Sequence, residues 1–425
     1  MRVWLITVGE PLPTDEGKNR LLRTGLLANA LIDKGHEVTW WTSTFDHTSK
    51  RHRFDHDTVV RVKESFEIRL LKGVGYGANI SLSRLIDHVI VALKFRNSSR
   101  NSPKPDIILC SLPTLELSVV AVQYGKRMHV PVILDIRDLW PDIFLELAPK
   151  RWRSIAKAVL FPMFWAVRAA CKGATAIIGN SPGFVDWGVR YTDRPRHRWD
   201  RDFPFGYSQL APDDVSIAQA THFWSKFGIK EKREDCFVAC FFGTIGRQFE
   251  LDTVIEAARK LSKGGRRFKF VLCGAGGALD DYKKLAGDCE SVIFPGWVGA
   301  PEIWTLMQMS DAGLAPYKNG EGFKDNLPNK PIEYLSAGLP VISSLSGYLQ
   351  DLLKENECGL TYSGGDVGSL VDALAELYDD RAKLHLMSQN SFELYKQKFI
   401  AEKVYEELID YLEEVNSGGH LAGGE

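Results

Sequence analysis

Short apolar runs alternate with longer amphipathic stretches along most of the chain. The runs at 2–8, 36–43, 106–112, 131–136 and 174–179 read as strands. Helical spacing follows them, as in Leu22, Leu26, Leu27, Ala30 and Leu31. Continuous apolar runs mark strands buried on both faces, and helices between them make right-handed crossovers. The first half therefore predicts a doubly wound parallel sheet. The rhythm breaks at 190–235, where Tyr191 to Phe205 is crowded with Arg, Asp and Pro and Gln209 to Asp214 is polar, so this stretch reads as a boundary or linker. It resumes with strands at 236–243, 268–274, 291–295, 312–317, 340–344 and 359–362. The expectation is an α/β protein of two Rossmann-like doubly wound domains, 1–208 and 209–398, facing a cleft. A segment from 399 to 425 adds an amphipathic helix packing back toward the first domain, then a tail. In open α/β sheets ligands sit beyond the carboxyl ends of the strands, so the loops after strands are where chemistry is expected.

Composition narrows the class. A chain of 425 residues exceeds one hydrophobic core, and 44% hydrophobic with 25% charged residues excludes disorder, collagen and coiled coil. The net charge of −1 conceals an asymmetry, since residues 1–200 carry +10 and the rest −11. A basic front half suits a phosphate-bearing or membrane surface. No helix-turn-helix or RNA-binding signature accompanies the charge, so nucleic acid is not an expected partner. The 7 cysteines are odd in number, lie mostly in apolar runs and include no C-x-x-C pair. They read as reduced thiols of a cytoplasmic protein without a zinc site. No secretory signal is read at the N-terminus. The apolar stretch 154–170 is interrupted by Lys157, Pro162 and Arg168 and falls short of a membrane span. The expected location is the cytoplasm, at most peripheral to the inner face of the cell membrane.

The richest stretch is Asp325-Asn326-Leu327-Pro328-Asn329-Lys330-Pro331-Ile332-Glu333-Tyr334-Leu335-Ser336-Ala337-Gly338-Leu339-Pro340-Val341-Ile342. It predicts a short helix over 330–337, capped by Gly338 and followed by a strand. Amides at a helix N-terminus favour an anion, and Lys330 adds charge there. Glu333 is one turn along, facing the same way, suited to accept ribose hydroxyl hydrogen bonds. This stretch resembles the acidic signature of glycosyltransferase family 4, retaining enzymes of the two-domain GT-B fold, with Asp325 standing where the family has its first Glu. Asp135-Ile136-Arg137-Asp138-Leu139-Trp140-Pro141 resembles the fucosaminyltransferase-like branch of bacterial surface-polysaccharide enzymes.

The resemblance implies a hexosyl group moved from a UDP- or GDP-sugar to an acceptor, expected to be lipid-linked, in cell-surface polysaccharide or lipopolysaccharide synthesis, without a metal or other cofactor. It implies Glu333 on the ribose, backbone at Leu327 and Asn329 on phosphate or sugar, and Asp325 on a donor-sugar hydroxyl. Gly243, Thr244, Gly246 and Arg247 fall where a pyrophosphate loop is required, with Phe249 at the position of a family lysine. Trp297 and Val298 fall where backbone holds the base; Trp297 reads equally as core or lid. Gly274 to Gly277 reads mainly as a strand-to-helix turn near the site. Arg137 and Asp138 are placed at the acceptor or donor, with a structural Asp–Arg network as the alternative. Gly17, Lys18 and Arg20 are placed on an acceptor phosphate. Arg247 and Lys330 stabilise the departing diphosphate. His47, His52 and His56 have no metal-site spacing. Arg151 to Lys172 mixes basic and aromatic residues on an apolar segment, read either as an interfacial membrane helix or as a crossover helix packed on the sheet. Two other functions remain open: a sugar-nucleotide or glycan-binding protein without turnover, and a sugar-nucleotide epimerase.

Overall fold

Strands of the computed structural model, which describes residues 1–15, 20–230 and 235–418, form two large sheets. In chain order the first unit carries β1 (Arg2–Ile6), β2 (Glu37–Ser43), β3 (Phe45–Asp46), β4 (Arg51–His52), β5 (Thr58–Lys63), β6 (Phe66–Leu71), β7 (Ile107–Leu112), β8 (Val132–Ile136), β9 (Ala176–Gly179) and β10 (Arg201–Asp202). The main sheet runs β10-β9-β8-β7-β1-β2-β6-β5, with β3 and β4 as a separate small pair. β1 lies at the point where strand order reverses. Its residues alternate between two cores: Trp4 and Ile6 pack with Val91, Phe95 and Val167 on one face, and Val3 and Leu5 pack with Leu27, Leu408 and Leu412 on the other. Trp4 anchors the first face, with ring centroids 5.2 Å from Trp41 and 5.0 Å from Tyr124.

The helix Ala401–Gly418 belongs to this unit, although the intervening chain builds the other. It packs beside the helix Arg23–Asp33, and Tyr411 donates to the Trp199 carbonyl at 2.7 Å.

Two features differ from the expectation. The antiparallel pair β5–β6 extends the sheet past β2. β5 alternates between half-buried and exposed residues, as an edge strand does, so it lacks the continuous apolar run that marks its neighbours. The stretch 190–235 is also not simply a linker. Asp200 is buried, pairs with Arg194 and accepts the Ile177 amide at 2.9 Å, so the charged crowding there is a folded corner beside β10. The helix Asp214–Ser225 follows, capped by Asp213 accepting from the Ser216 amide, and the two units divide between Gly206 and Tyr207.

The second unit holds β11 (Phe237–Phe242), β12 (Phe268–Cys273), β13 (Val292–Ile293), β14 (Ala312–Ala315), β15 (Val341–Ser343) and β16 (Gly359–Thr361). The order β13-β12-β11-β14-β15-β16, all parallel, reverses between β11 and β14, where a doubly wound sheet opens its ligand crevice. The helix Asn329–Ser336 settles onto β14 because Gly313 has no side chain. A Cβ there would stand 2.1 Å from the Tyr334 ring, and the Tyr334 hydroxyl donates to the Leu314 carbonyl at 3.0 Å.

Candidate functional site

Three loops at the carboxyl edge of the second sheet are tied to one another through their backbones. The Gly243 amide donates to the Cys273 carbonyl at 3.1 Å, Ile245 to Ala275 at 2.9 Å, and Gly274 to Gly296 at 2.7 Å. Gly274 has φ +144°, and a Cβ on it would meet the Gly243 carbonyl oxygen at 1.8 Å. The glycines after β12 thus serve to let the loop after β11 lie flat against them.

The helix Asn329–Ser336 brings a cation to this loop. Its end is built locally: Gly338, at φ +66°, donates to Leu335 at 3.0 Å while Leu339 donates to Tyr334 at 2.9 Å, the paired bonds of a Schellman cap. At its start, Lys330 lies so close to Gly243 that a Cβ there would stand 2.5 Å from Lys330 Cε and 2.7 Å from Nζ. The same ammonium is 4.9 Å from the Phe249 ring centroid and 5.7 Å from that of Phe241. Burial pushes the ammonium below its ordinary pKa, against the pull of the Glu333 carboxylate one turn along. A desolvated cation against a glycine turn, at a sheet's switch point, is an arrangement suited to phosphate. Phe249, where the family resemblance expects a lysine, carries Lys330 on its face.

The other predicted residues of this unit fall into two groups. Thr244 and Arg247 are exposed on the loop after β11, and Gly246 lies between them. Asn329 is exposed at the first position of the helix, Glu333 is buried on it, and Leu327 is buried just before it. Asp325 is exposed immediately after the short helix Glu321–Lys324. Val298 is buried, whereas Trp297 is exposed, which removes the core reading of that indole. Asn319 escaped the sequence reading, yet it donates to the Ser344 carbonyl at 2.6 Å and accepts the Ser346 amide at 3.2 Å, joining the loops after β14 and β15. No spacing signal marked it.

In the first unit the Asp–Arg network is the arrangement present. Arg137 donates through Nε to Asp135 at 2.8 Å, through Nη1 to Glu10, and through Nη2 to Thr24 at 3.1 Å. Arg23 donates to the same Asp135 oxygen at 2.9 Å. Burial alone would raise the Asp135 carboxyl, but Arg23 and Arg137 outweigh it and hold the pKa below the usual range. Arg137 thereby ties β8 to the loop after β1 and to the helix Arg23–Asp33. Asp138 spends its oxygens on its own loop, accepting from the Leu139 amide at 2.9 Å and the Trp140 indole at 3.2 Å, and burial raises its pKa. Arg20 is exposed before the helix Arg23–Asp33; Gly17 and Lys18 lie outside the described residues. His47 and His52 bond Tyr76 and Thr44, each at 2.8 Å. Among the described residues no group of three His, Cys, Asp or Glu side chains is placed to hold a metal.

The segment read as one helix at 151–172 is broken. A 3-10 turn Lys150–Trp152 and a helix Arg153–Val159 meet the helix Phe161–Gly173 at a bend of 65°, with Pro162 in the first turn of the latter. Ala166, Val167, Ala170 and Cys171 pack inward, leaving Trp152, Ile155, Val159, Phe161 and Trp165 exposed. Among the described residues no single helix is long and apolar enough to cross a membrane.

Residues 223–394 match the family described as glycosyl transferases group 1, and residues 23–199 match glycosyltransferase family 4. A GDP-mannose-dependent alpha-(1-6)-phosphatidylinositol monomannoside mannosyltransferase of Mycobacterium tuberculosis is 28% identical over 180 residues, 41% of this chain and 46% of the relative. The match thus spans about half the length of that relative. The alpha-D-kanosaminyltransferase of Streptomyces kanamyceticus is 21% identical over 300 residues, 68% of this chain and 75% of its own. Among solved structures, a sucrose-phosphate synthase from Thermosynechococcus elongatus superposes with a TM-score of 0.73 at 16% identity, covering 98% of this chain and 99% of that one. HepE from Anabaena, solved with UDP-glucose, gives 0.65 at 15% identity, covering 97% and 100%. At these identities the likeness establishes the GT-B fold and nothing further.

Proposed function

Because the chain belongs to glycosyltransferase family 4, we propose that it transfers a hexosyl group from a nucleotide-diphosphate sugar, UDP- or GDP-linked, to a lipid-linked acceptor with retention of anomeric configuration, in the synthesis of a cell-surface polysaccharide or glycolipid. The observation that carries this reading is Lys330, desolvated over Phe249 and set against Gly243 at the switch point of the second sheet. Charge accumulates on the departing diphosphate as the glycosidic bond breaks. A cation already partly desolvated stabilises that charge more than it stabilises the bound donor. Exposed Arg247 adds a second positive group, and the amides around Leu327 and Asn329 direct dipoles the same way. Glu333 takes the ribose hydroxyls, and Asp325 a hydroxyl of the donor sugar. The leaving phosphate receives the acceptor proton, so no separate base is needed. In this scheme Lys330 and Arg247 meet the diphosphate charge without a metal, and chelation leaves turnover unchanged. The relative named for a phosphatidylinositol monomannoside supports a lipid-linked acceptor.

The exposed Trp152, Ile155, Val159, Phe161 and Trp165, interleaved with Arg151, Arg153 and Lys157, support peripheral contact with an anionic membrane. The deciding experiment for the activity is release of free nucleoside diphosphate from a panel of sugar nucleotides, with and without a polyprenyl-linked saccharide. Acceptor-dependent release identifies a transferase. Binding without release identifies a sugar-nucleotide receptor, and interconversion of the donor itself identifies an epimerase. Glu333→Ala should abolish the donor's thermal shift; unchanged donor affinity refutes its role on the ribose.

A further inference from the structure

We propose that the Tyr317 hydroxyl donates a hydrogen bond to the diphosphate of the sugar nucleotide, from a position to which the family resemblance assigns no role. The proposal rests on the transferase reading above and deepens it on the donor side. Tyr317 comes just after β14, at the carboxyl end of the strand that borders the switch point of the second sheet. There the loops after β11 and β14 pair as a short antiparallel ladder. The Glu250 amide donates to the Pro316 carbonyl at 2.7 Å and the Lys318 amide to the Gln248 carbonyl at 2.9 Å, with Phe249 bridging Tyr317 between them. Residues directly opposite in such a pair carry their side chains on one face. The Phe249 and Tyr317 ring centroids are accordingly 4.8 Å apart, and Phe323 stands 5.9 Å from Tyr317.

The ring is fixed, but the hydroxyl is not spent. Tyr317 is 6% exposed, and its hydroxyl makes no hydrogen bond among the described residues. It is also not one of the unpaired polar atoms that are sealed from solvent, so a ligand can reach it. Two neighbouring phenols differ in this respect. Tyr334 donates to the Leu314 carbonyl and Tyr282 to the Phe249 carbonyl, each at 3.0 Å.

The surroundings select an anionic oxygen. The Phe249 ring that pairs with Tyr317 also carries the Lys330 ammonium, 4.9 Å from its centroid, so the cation and the phenol share one ring. Burial, and then the Glu333 carboxylate, push the Tyr317 phenol above its ordinary pKa. The phenol therefore keeps its proton at any working pH and remains a donor, while Lys330 supplies the charge. A neutral donor beside a desolvated cation complements an oxyanion with several lone pairs, and in a nucleotide sugar that group is the diphosphate. The uncharged hydroxyls of the sugar would gain little from the cation.

Tyr317→Phe removes the hydroxyl and keeps the ring. Calorimetry with UDP, GDP, uridine and guanosine reads the effect on the full chain without requiring turnover. The variant should lose about 10-fold or more in affinity for the diphosphate that the wild type binds, as expected for a hydrogen bond to a charged group. The matching nucleoside should bind as before, and the melting temperature of the unliganded chain should not change. Unchanged diphosphate affinity overturns the assignment. Equal losses for nucleoside and diphosphate also overturn it, placing the hydroxyl on the ribose or on Glu333. A loss accompanied by a lower unliganded melting temperature overturns it in favour of a packing role. If the diphosphate loss follows Tyr317→Phe yet no sugar nucleotide is turned over, the transferase reading fails and the diphosphate contact stands. A wild type that binds neither UDP nor GDP removes both.

Discussion

The Lys330 ammonium stands 4.9 Å from the centroid of the Phe249 ring, which is 2% exposed. The ring supports the cation while withholding water from its underside, and burial accordingly lowers the ammonium's pKa. Lys330→Met keeps the packing and removes the charge. It should reduce turnover by about 100-fold or more while changing donor affinity much less, because the charge it meets develops in the transition state. Equal losses in kcat and donor affinity would instead indicate ground-state holding.

Gly274 and Gly277 lie in the same loop but face different surroundings. A Cβ at Gly274 meets the Gly243 carbonyl at 1.8 Å, whereas one at Gly277 meets nothing within 4 Å. Gly274→Ala should separate the loops after β11 and β12, costing about 1–3 kcal/mol of stability and most of the donor affinity. Gly277→Ala should be silent in both. Thermal melts with and without sugar nucleotide read the two effects together.

Arg137 joins Asp135, Glu10 and Thr24 within the first unit. Removing it takes the cation from Glu10 and leaves Asp135 with Arg23 alone, so Arg137→Ala should lower unfolding stability by about 3 kcal/mol. Denaturant titration measures this. A variant of normal stability but raised acceptor KM would return Arg137 to the acceptor.

His88 is held neutral by burial, its pKa lowered from 6.5 to about 3. The folded value lies below the unfolded one, so the unfolded chain binds the extra proton first as pH falls. The contribution is fully present above pH 6.5 and lost progressively toward pH 3. At most it amounts to roughly 4–5 kcal/mol. His88→Phe should flatten the pH dependence of stability across that window; an unchanged slope would show that other groups govern it.

The exposed apolar residues of the bent pair Lys150–Val159 and Phe161–Gly173 lie among basic ones. The protein should sediment with anionic vesicles at low salt and release at high salt, since screening acts within about 8 Å at physiological ionic strength. Arg151→Glu with Arg153→Glu should abolish sedimentation, each basic residue contributing about 1 kcal/mol near the surface. Donor binding should be unaffected. Equal binding to neutral and anionic vesicles, or none to either, would exclude this contact.

Local chemistry along the chain determined most of the architecture. Buried parallel strands announce themselves as apolar runs, and the helix Asn329–Ser336 with its Gly338 cap follows from propensity and backbone freedom alone. The spacing of Lys330 and Glu333 likewise placed both on one short helix. What periodicity does not encode is which distant groups share a strand edge. Strand order alone lays Lys330 over Phe249 and sets Glu10 against Arg137 across 127 residues of chain. It also leaves Trp297 exposed and breaks the apolar segment around Leu160. Burial pattern is a local property that a sequence displays directly. Whether a charge is spent on a partner or held in reserve depends on long-range packing, and only the tertiary structure decides it.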